Sequence, residues 1–144
     1  MSLDENKRLV RRFFDCLNNS EHVSALHELV APQCIVNGQP NSLVILQDFI
    51  LMMRTAFPDE QLTVTTLIAE GNWVAVRLSS QATHLGSWCS PLGVLPPTQQ
   101  ACRQTGMQFF RIQDGLIVEL WTEWNVVGQL QQLGALQAPD LVVL

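Results

Sequence analysis

Side chains that could bind and deprotonate a ligand are concentrated between Met107 and Gly128. Two runs rich in β-branched and aromatic residues flank Asp114-Gly115, a pair typical of a two-residue hairpin turn. Cross-strand partners share a face of the sheet, so an uninterrupted hairpin gathers carboxylates, which transfer protons, and amides, which bind oxygens. The expected pocket face holds Gln108, Glu119, Trp121, Glu123 and Asn125, and the other face Phe109, Arg111, Val118, Leu120, Thr122 and Trp124.

The two carboxylates of this hairpin are expected to differ in role. Glu123 lies between Trp121 and Asn125, where partial loss of solvent could tune it as a general base. The alternative is a solvated carboxylate at the pocket mouth, or one paired with Arg103. Glu119 is expected deeper in the sheet and tied to Arg77, because an unpaired buried carboxylate is costly.

Other side chains are candidates for binding. Trp73, Phe110 and Trp121 could stack on a flat polycyclic ligand, although aromatic residues at alternating positions are also typical of a core. His84 is either a pocket acid or hydrogen-bonding group, or a strand-end histidine with its hydrogen bonds satisfied. Asn37, which follows a short strand, is a weaker candidate for a hydrogen bond at the mouth.

The least regular part of the chain, residues 85–100, contains Gly86, Pro91, Gly93, Pro96 and Pro97. A loop of this length in a compact domain is usually functional, so it is expected to form a pocket rim or lid, with a disordered tip as the alternative. Trp88 would then be the aromatic side chain that such a lid brings to the mouth.

Composition indicates one domain, residues 1–144, that associates with itself. Hydrophobic residues make up 47% of the chain and charged residues only 15%, against about 25% in ordinary globular proteins. A homo-oligomer, dimer or tetramer, or an enclosed ligand cavity would cover the excess apolar surface. The net charge of -5 argues against nucleic acid as a partner, because phosphate binding needs a basic surface. The basic cluster Lys7, Arg8, Arg11 and Arg12 is expected to be a solvated helix face.

Nothing in the sequence indicates a metal or a cofactor. The four cysteines form no C-x-x-C pair, and His22 and His27 are spaced so that they do not share a helix face. No glycine-rich phosphate loop or Ser-His-Asp set is present. No apolar run approaches the roughly 18 residues that a membrane span needs, so a soluble cytoplasmic protein with reduced thiols is expected.

Hydrophobic spacing predicts helices first and strands afterwards, which is an α+β layout with helices on one face of a curved sheet. Asp4 and Ser20 are predicted N-caps. The expected helices begin near residues 4, 20, 42 and 128, and the expected strands are 34–36, 62–69, 73–84 and the two arms of the hairpin. Residues 135–144 are left unassigned.

Several segments together resemble the SnoaL-like polyketide cyclases. They are the opening helix, FPD at 57–59, ATHLG at 82–86, PPT at 96–98, FRIQDGLIVELW at 110–121 and NVVGQLQQLGAL at 125–136. The resemblance spans almost the whole chain. It implies a nuclear-transport-factor-2-like cone, in which a strongly curved, mainly antiparallel sheet wraps around three N-terminal helices and encloses a deep hydrophobic cavity.

The resemblance also implies an activity, a cofactor-free, intramolecular aldol ring closure of a small, apolar, polyketide-type carbonyl substrate. In such cyclases an aspartate near the end of the last strand is the acid/base, and Asn125 stands at that position here. Phe110 stands where a histidine is expected, while Gln108 matches the family's amide. Glu123 is the expected substitute base, with Gln108, Asn125 and His84 orienting substrate oxygens.

Two other functions fit the same fold. The missing aspartate and histidine favour a non-catalytic protein that binds a small molecule through amide groups in an apolar cavity. An epoxide hydrolase or hydroxylase is the third interpretation, although the Asp-Arg-Asp arrangement of limonene epoxide hydrolase has no counterpart on the predicted pocket strands.

Overall fold

The computed structural model describes residues 2–137. It has four helical segments: α1 (Leu3–Asn18), a 3-10 helix (Ser20–Glu28), α2 (Leu43–Ala56) and α3 (Val126–Gln132). A capping box begins α1, in which Ser2 Oγ accepts the Glu5 N–H and the Glu5 carboxylate accepts the Ser2 N–H. The predicted cap at Asp4 is therefore wrong by two residues. Ser42 Oγ caps α2, which agrees with the helix start predicted near residue 42.

Six strands form one curved, open sheet in the order β2-β1-β8-β7-β4-β3, with all neighbours antiparallel except β1 and β8. Strands β5 and β6 form a separate small hairpin. Their bounds are β1 (Val30–Val36), β2 (Gln39–Ser42), β3 (Gln61–Glu70), β4 (Trp73–Thr83), β5 (Trp88–Ser90), β6 (Gly93–Leu95), β7 (Ala101–Gln113) and β8 (Leu116–Trp124). The predicted α+β class with a mainly antiparallel curved sheet is confirmed.

Two predicted elements differ in detail. The segment from Ser20 forms a 3-10 helix. Strand β1 begins at Val30, earlier than the strand predicted for residues 34–36. Pro32 does not prevent this strand, because the pairing of β1 with β8 is irregular between Val30 and Ile35, where a missing N–H costs little.

The concave side of the sheet packs on α1 through aromatic rings. Phe13, Phe14 and Phe110 meet edge to face with centroids 5.3–5.7 Å apart. All three are at most 2% exposed. Phe110 is thus part of the core beneath α1, which is the alternative that the sequence analysis gave for aromatic residues at alternating positions.

A β-bulge in the opening hairpin changes which residues share a face. The turn is the predicted two-residue one, with Asp114 and Gly115 both at positive φ, and Ile112 pairs with Ile117 as expected. The next pair is Arg111 with Glu119, so Val118 is an extra residue in β8. From that point every β8 side chain lies on the opposite face from the predicted one.

The bulge therefore separates the predicted pocket face into two sets. The concave side carries Gln108, Phe110, Leu120, Thr122 and Trp124, and the convex side carries Met107, Phe109, Arg111, Glu119, Trp121 and Glu123. Their burial agrees, since Gln108 and Leu120 are buried while Phe109 and Trp121 are exposed.

A second core cluster lies beneath α3, and its members are Ala56, Phe57, Ala82, Trp88, Cys102, Leu130 and Leu133. Trp88, at the start of the β5–β6 hairpin, is only 6% exposed. Its indole packs edge to face on Phe57, with ring centroids 5.4 Å apart. The segment 85–100 is thus anchored by a buried side chain, and the expectation of Trp88 as an aromatic at an open mouth is wrong.

Across residues 2–137, no helix is long and apolar enough to cross a membrane.

The core role of Phe110 can be tested by stability. Replacing Phe110 with Ala removes a ring that is fully enclosed, and we expect the free energy of unfolding to fall by about 3–5 kcal/mol. Phe49→Ala is the matched control, because the Phe49 ring on α2 is 54% exposed and its loss leaves no cavity. Urea titration followed by circular dichroism measures both changes, and equal losses would contradict the burial of Phe110.

Candidate functional site

Five of the predicted site residues line one recess that opens on the convex side of the sheet. They are Trp73, Gln108, Trp121, Glu123 and Asn125, and the recess of about 670 Å³ is completed by Arg77, Thr105, Gly106, Met107, Phe109 and Trp124. Trp73 is 37% and Trp121 is 42% exposed. We call this the convex recess. Glu123 is exposed there, and no ion pair with Arg103 is found among the described residues.

Asn125 has a structural role at the start of α3. It is the N-cap of α3, and its Oδ1 accepts the Gly128 backbone N–H at 3.0 Å. Its own backbone N–H donates to the Thr105 carbonyl at 3.1 Å. Aspartate and asparagine cap helices about equally well, so this contact explains why the position tolerates the amide. An amide that caps a helix cannot transfer a proton.

Glu119 is held on the convex side by two hydrogen bonds. Arg111 Nε donates to Glu119 Oε1 at 2.9 Å, and the Trp121 indole N–H donates to Oε2 at 2.7 Å. The indole bond, followed by Arg111, lowers the pKa of the Glu119 carboxyl and favours its charged form. The expected tie to Arg77 is wrong, because the bulge brings Arg111 opposite Glu119 while Arg77 donates to Thr65 Oγ1.

Gln108 and Asn37 are both bonded to Thr122. Gln108 Nε2 donates to the Thr122 hydroxyl at 3.1 Å on the concave side, and its Oε1 is buried without a partner in the described part of the chain. Asn37 Oδ1 accepts the Thr122 backbone N–H at 2.8 Å, which fastens the β1–β2 turn to β8. The Gln108 and Glu123 side chains therefore lie on opposite faces of the sheet, contrary to the shared face predicted from the sequence, although both residues line the convex recess.

His84 follows β4 and is completely buried in the second core cluster. The Thr98 backbone N–H donates to its Nδ1 at 3.2 Å, which makes Nε2 the protonated nitrogen of the ring. Nε2 has no partner within residues 2–137. The ring packs on Phe57 and Trp88, with centroids 5.3 Å and 6.4 Å away. His84 is thus hydrogen-bonded through Nδ1, and its ring lies close to Trp88.

The sequence analysis missed a carboxylate on the concave side. Glu60 directly precedes β3, and its Oε2 accepts a hydrogen bond from the Ser80 hydroxyl at 3.0 Å. Burial raises the pKa of the Glu60 carboxyl, while the Ser80 bond and the nearby Arg54 guanidinium oppose this with smaller effects. Such a group holds and releases its proton closer to neutral pH than an ordinary glutamate does.

Local contacts fix the segment that carries Glu60. Asp59 accepts the Thr83 backbone N–H and hydroxyl, both at 2.7 Å. Arg54 NH1 donates to the Glu60 backbone carbonyl at 2.9 Å. At the other end, the Ala56 carbonyl accepts the N–H groups of Leu85 and Gly86. The backbone at Asp59 and Glu60 is therefore held by the end of α2 and the end of β4 together, while the Glu60 carboxyl itself is bonded to Ser80.

Amide and hydroxyl groups continue from Glu60 along the concave side. Ser80 is paired in register with Gln104 on β7, and the Gln104 Oε1 is buried with no partner among residues 2–137. Two residues further along β7, Gly106 leaves room for the Trp124 ring, since a Cβ there would lie 2.5 Å from Trp124 ring carbons. We call Glu60, Ser80, Gln104 and Gln108 the concave polar row. Buried polar atoms without partners are uncommon, which makes this row a candidate for binding a ligand that donates hydrogen bonds.

The signal for Glu60 was weak in the sequence. It stands between a proline turn and a strand, where exposed acidic residues are common, and no periodicity marks it. Its burial comes with a tertiary contact to Ser80 on β4, which local sequence patterns do not reveal. Among residues 2–137, no group of three or more His, Cys, Asp or Glu side chains is arranged to hold a metal ion.

Solved structures with the same fold include proteins from antibiotic-producing bacteria. AclR from Streptomyces galilaeus, described as a candidate hydroxylase, is 27% identical, with a TM-score of 0.80 over 94% of this chain and 99% of its own. IdmH from Streptomyces antibioticus, described as a candidate polyketide cyclase, is also 27% identical, with a TM-score of 0.78 over 90% and 98%. TsrD from Streptomyces laurentii, at 23% identity and a TM-score of 0.81 over 94% and 99%, shares the fold. A comparison with curated proteins found no significant match.

The family model of SnoaL-like polyketide cyclases matches residues 7–133, which include most of α1, the whole sheet and α3. This chain belongs to the SnoaL-like polyketide cyclase family.

Proposed function

We propose that this chain is a cofactor-free enzyme of the cyclase type, which closes a ring in an apolar carbonyl substrate by acid/base catalysis with Glu60. The observation that carries the proposal is the enclosed Glu60 carboxyl, whose pKa burial raises and whose oxygen accepts the Ser80 hydroxyl. A general acid/base works best when its pKa lies near the working pH. The family supplies the reaction class, and Glu60 supplies the group that Asn125 cannot.

The ring closure needs one group that takes up a proton and later returns it. The Glu60 carboxylate removes a proton from a carbon next to a substrate carbonyl, which gives an enolate. The enolate carbon then attacks a second carbonyl of the same molecule, so that a carbon–carbon bond forms as the carbonyl π bond opens. The alkoxide takes the proton back from Glu60. The product is an isomer of the substrate, and Glu60 is again a carboxylate.

Glu123, the base expected from the hairpin pattern, is less well suited. It lies on the convex side, is exposed, and shares its recess with Arg77. Water competes for hydrogen bonds at such a position. An exposed carboxylate therefore lacks the stronger electrostatic interactions that an enclosed site of low dielectric provides.

A substitution at Glu60 tests the proposed base. We expect Glu60→Gln, which keeps the size and the bond to Ser80, to lower turnover by about 100-fold or more. The model substrate is a tetralone with an oxobutyl side chain at its α carbon, whose ring closure is followed by mass-resolved chromatography. Glu70→Gln, at an exposed position of β3, is the matched control and should leave turnover unchanged. Loss of activity in Glu123→Gln with full activity in Glu60→Gln would overturn the assignment and restore Glu123.

Stability against pH tests the enclosure of Glu60 without any substrate. Because burial raises the pKa of Glu60 in the folded state, its protonated form stabilises the protein fully below the ordinary glutamate pKa. That contribution is lost as the pH rises through the raised pKa. The free energy of unfolding of Glu60→Gln relative to wild type should therefore increase as the pH rises from below the ordinary glutamate pKa through the raised pKa of Glu60. A difference that stays constant across this range, as expected for Glu70→Gln, would show that Glu60 is not enclosed.

A binding function without chemistry is the second candidate. Asn125 favours it, because the position that carries the family's acid/base serves here as a helix cap. In that case the tetralone would bind and be recovered unchanged in wild type and Glu60→Gln alike. The likeness to AclR raises hydroxylation as a third outcome, which the same chromatography would detect as a product with an added oxygen.

A further inference from the structure

The register of two strands explains why Glu60 and Ser80 meet. Leu62 on β3 is paired with Ser80 on β4. Residues two apart on an extended chain point to the same face of a sheet, so Glu60, directly before β3, shares the concave face with Leu62. It lies one diagonal step from Ser80, within reach of a long side chain. The hydrogen bond of 3.0 Å from the Ser80 hydroxyl to Glu60 Oε2 joins the two residues across this diagonal.

The start of β3 is fixed by α1 as well. Asn18 Nδ2 donates to the Leu62 carbonyl at 2.8 Å, and Asn18 Oδ1 accepts the Leu62 N–H at 2.7 Å. Ser80 is buried on the neighbouring strand, with 5% of its surface exposed. The hydroxyl of Ser80 and the strand end beside Glu60 are therefore held in place before any ligand binds.

The two carboxylate oxygens of Glu60 have different surroundings. Oε2 accepts the Ser80 hydroxyl, whereas no hydrogen bond to Oε1 is found within residues 2–137. A proton taken up on Oε1 leaves Oε2 as a carbonyl oxygen that still accepts the same hydroxyl. A proton on Oε2 would instead force that bond to break or to reverse. The bond to Ser80 therefore favours Oε1 as the site of protonation.

We propose that Ser80 is a positioning residue, which holds Glu60 through Oε2 and leaves Oε1 as the oxygen that removes the substrate proton and returns it to the alkoxide. This inference rests on the proposed function, because it assigns a role within the same site. Ser80 itself contacts no reacting atom. Its bond persists while the proton moves onto Oε1 and off again, so the carboxyl does not have to reorient between the two transfers.

Ser80 also sets how readily Glu60 gives up its proton. Burial raises the pKa of the Glu60 carboxyl, and the Ser80 hydrogen bond is the largest of the effects that lower this pKa. The charged groups that act on Glu60 are Arg54 on α2, which lowers its pKa, and Asp59, which raises it. Burial raises the pKa of the nearby Cys102 thiol on β7, so that this thiol stays neutral. Without Ser80, Glu60 would therefore remain protonated up to a higher pH.

Kinetics against pH test the role of Ser80. A general base must be deprotonated, so kcat/KM for the tetralone should rise with pH along a limb set by Glu60. In Ser80→Ala we expect this limb to move to higher pH and kcat/KM at neutral pH to fall about tenfold, the scale of one hydrogen bond to a charged group. The loss should shrink at alkaline pH. It should lie in kcat rather than in KM, because Ser80 does not contact the substrate.

Two further variants separate positioning from a purely structural role. Ser80→Thr keeps a hydroxyl at the same place and should restore the wild-type pH profile. Ser79→Ala removes the hydroxyl of the neighbouring residue, which points to the convex face, and should leave the profile unchanged. Circular dichroism checks that each variant is folded. An unshifted profile in Ser80→Ala, or a loss of turnover that is equal at every pH, would overturn the proposal.

A measurement without substrate distinguishes failure of this inference from failure of the proposed function. The free energies of unfolding of Ser80→Ala and Ser80→Ala/Glu60→Gln are compared across pH, as for wild type and Glu60→Gln. Their difference should change over a higher pH range than in the pair that keeps Ser80, because less then opposes the effect of burial on the pKa of Glu60.

The two failures give different results. If the pH range does not move while Glu60→Gln abolishes turnover, Glu60 remains the base and the role of Ser80 is overturned. If the range moves but Glu60→Gln keeps full turnover, the assignment of the base is overturned, and with it that of Oε1 as the reacting oxygen.

Discussion

Strand β8 carries one residue more than β7 opposite it, and much of the structure depends on that insertion. Val118 stands between the pairs Ile112 with Ile117 and Arg111 with Glu119. Because side chains alternate along a strand, one extra residue turns the following side chains to the other face. Leu120 thereby reaches the core, while Trp121 and Glu123 reach the convex side. The bulge also places Arg111 where it neutralises Glu119 at 2.9 Å.

The two sides of the sheet consequently have different chemistry. On the concave side, phenyl rings fill the space beneath α1, and polar groups are confined to the row that begins at Glu60. On the convex side, aromatic residues are exposed beside the charged Arg77 and Glu123. A carboxylate in the first environment is enclosed and gains strength from the low dielectric around it. A carboxylate in the second is in contact with water, which weakens its interactions.

Prediction from sequence succeeded for features that local residue patterns determine, and it failed for features that depend on contacts between distant parts of the chain. The helix cap at Ser42, the turn at Asp114-Gly115 and the long strands of the sheet follow from residue type and spacing. The fold and family followed from motifs spread along the chain, including the FPD segment that holds Glu60. The face of Glu123 could not be predicted, because no glycine or proline marks the bulge at Val118. The core role of Phe110 depends on α1, almost a hundred residues earlier in the chain.

Asn125 connects these findings. In a family whose pattern places an acidic side chain there, the position lies directly after β8 and begins α3, so its backbone must meet a capping requirement whichever residue occupies it. An asparagine keeps the cap through the bond to Gly128 and gives up proton transfer. Any acid/base chemistry must then come from another group. In the proposed function that group is Glu60, because burial raises the pKa of its carboxyl and the Ser80 hydroxyl donates to it on the concave side.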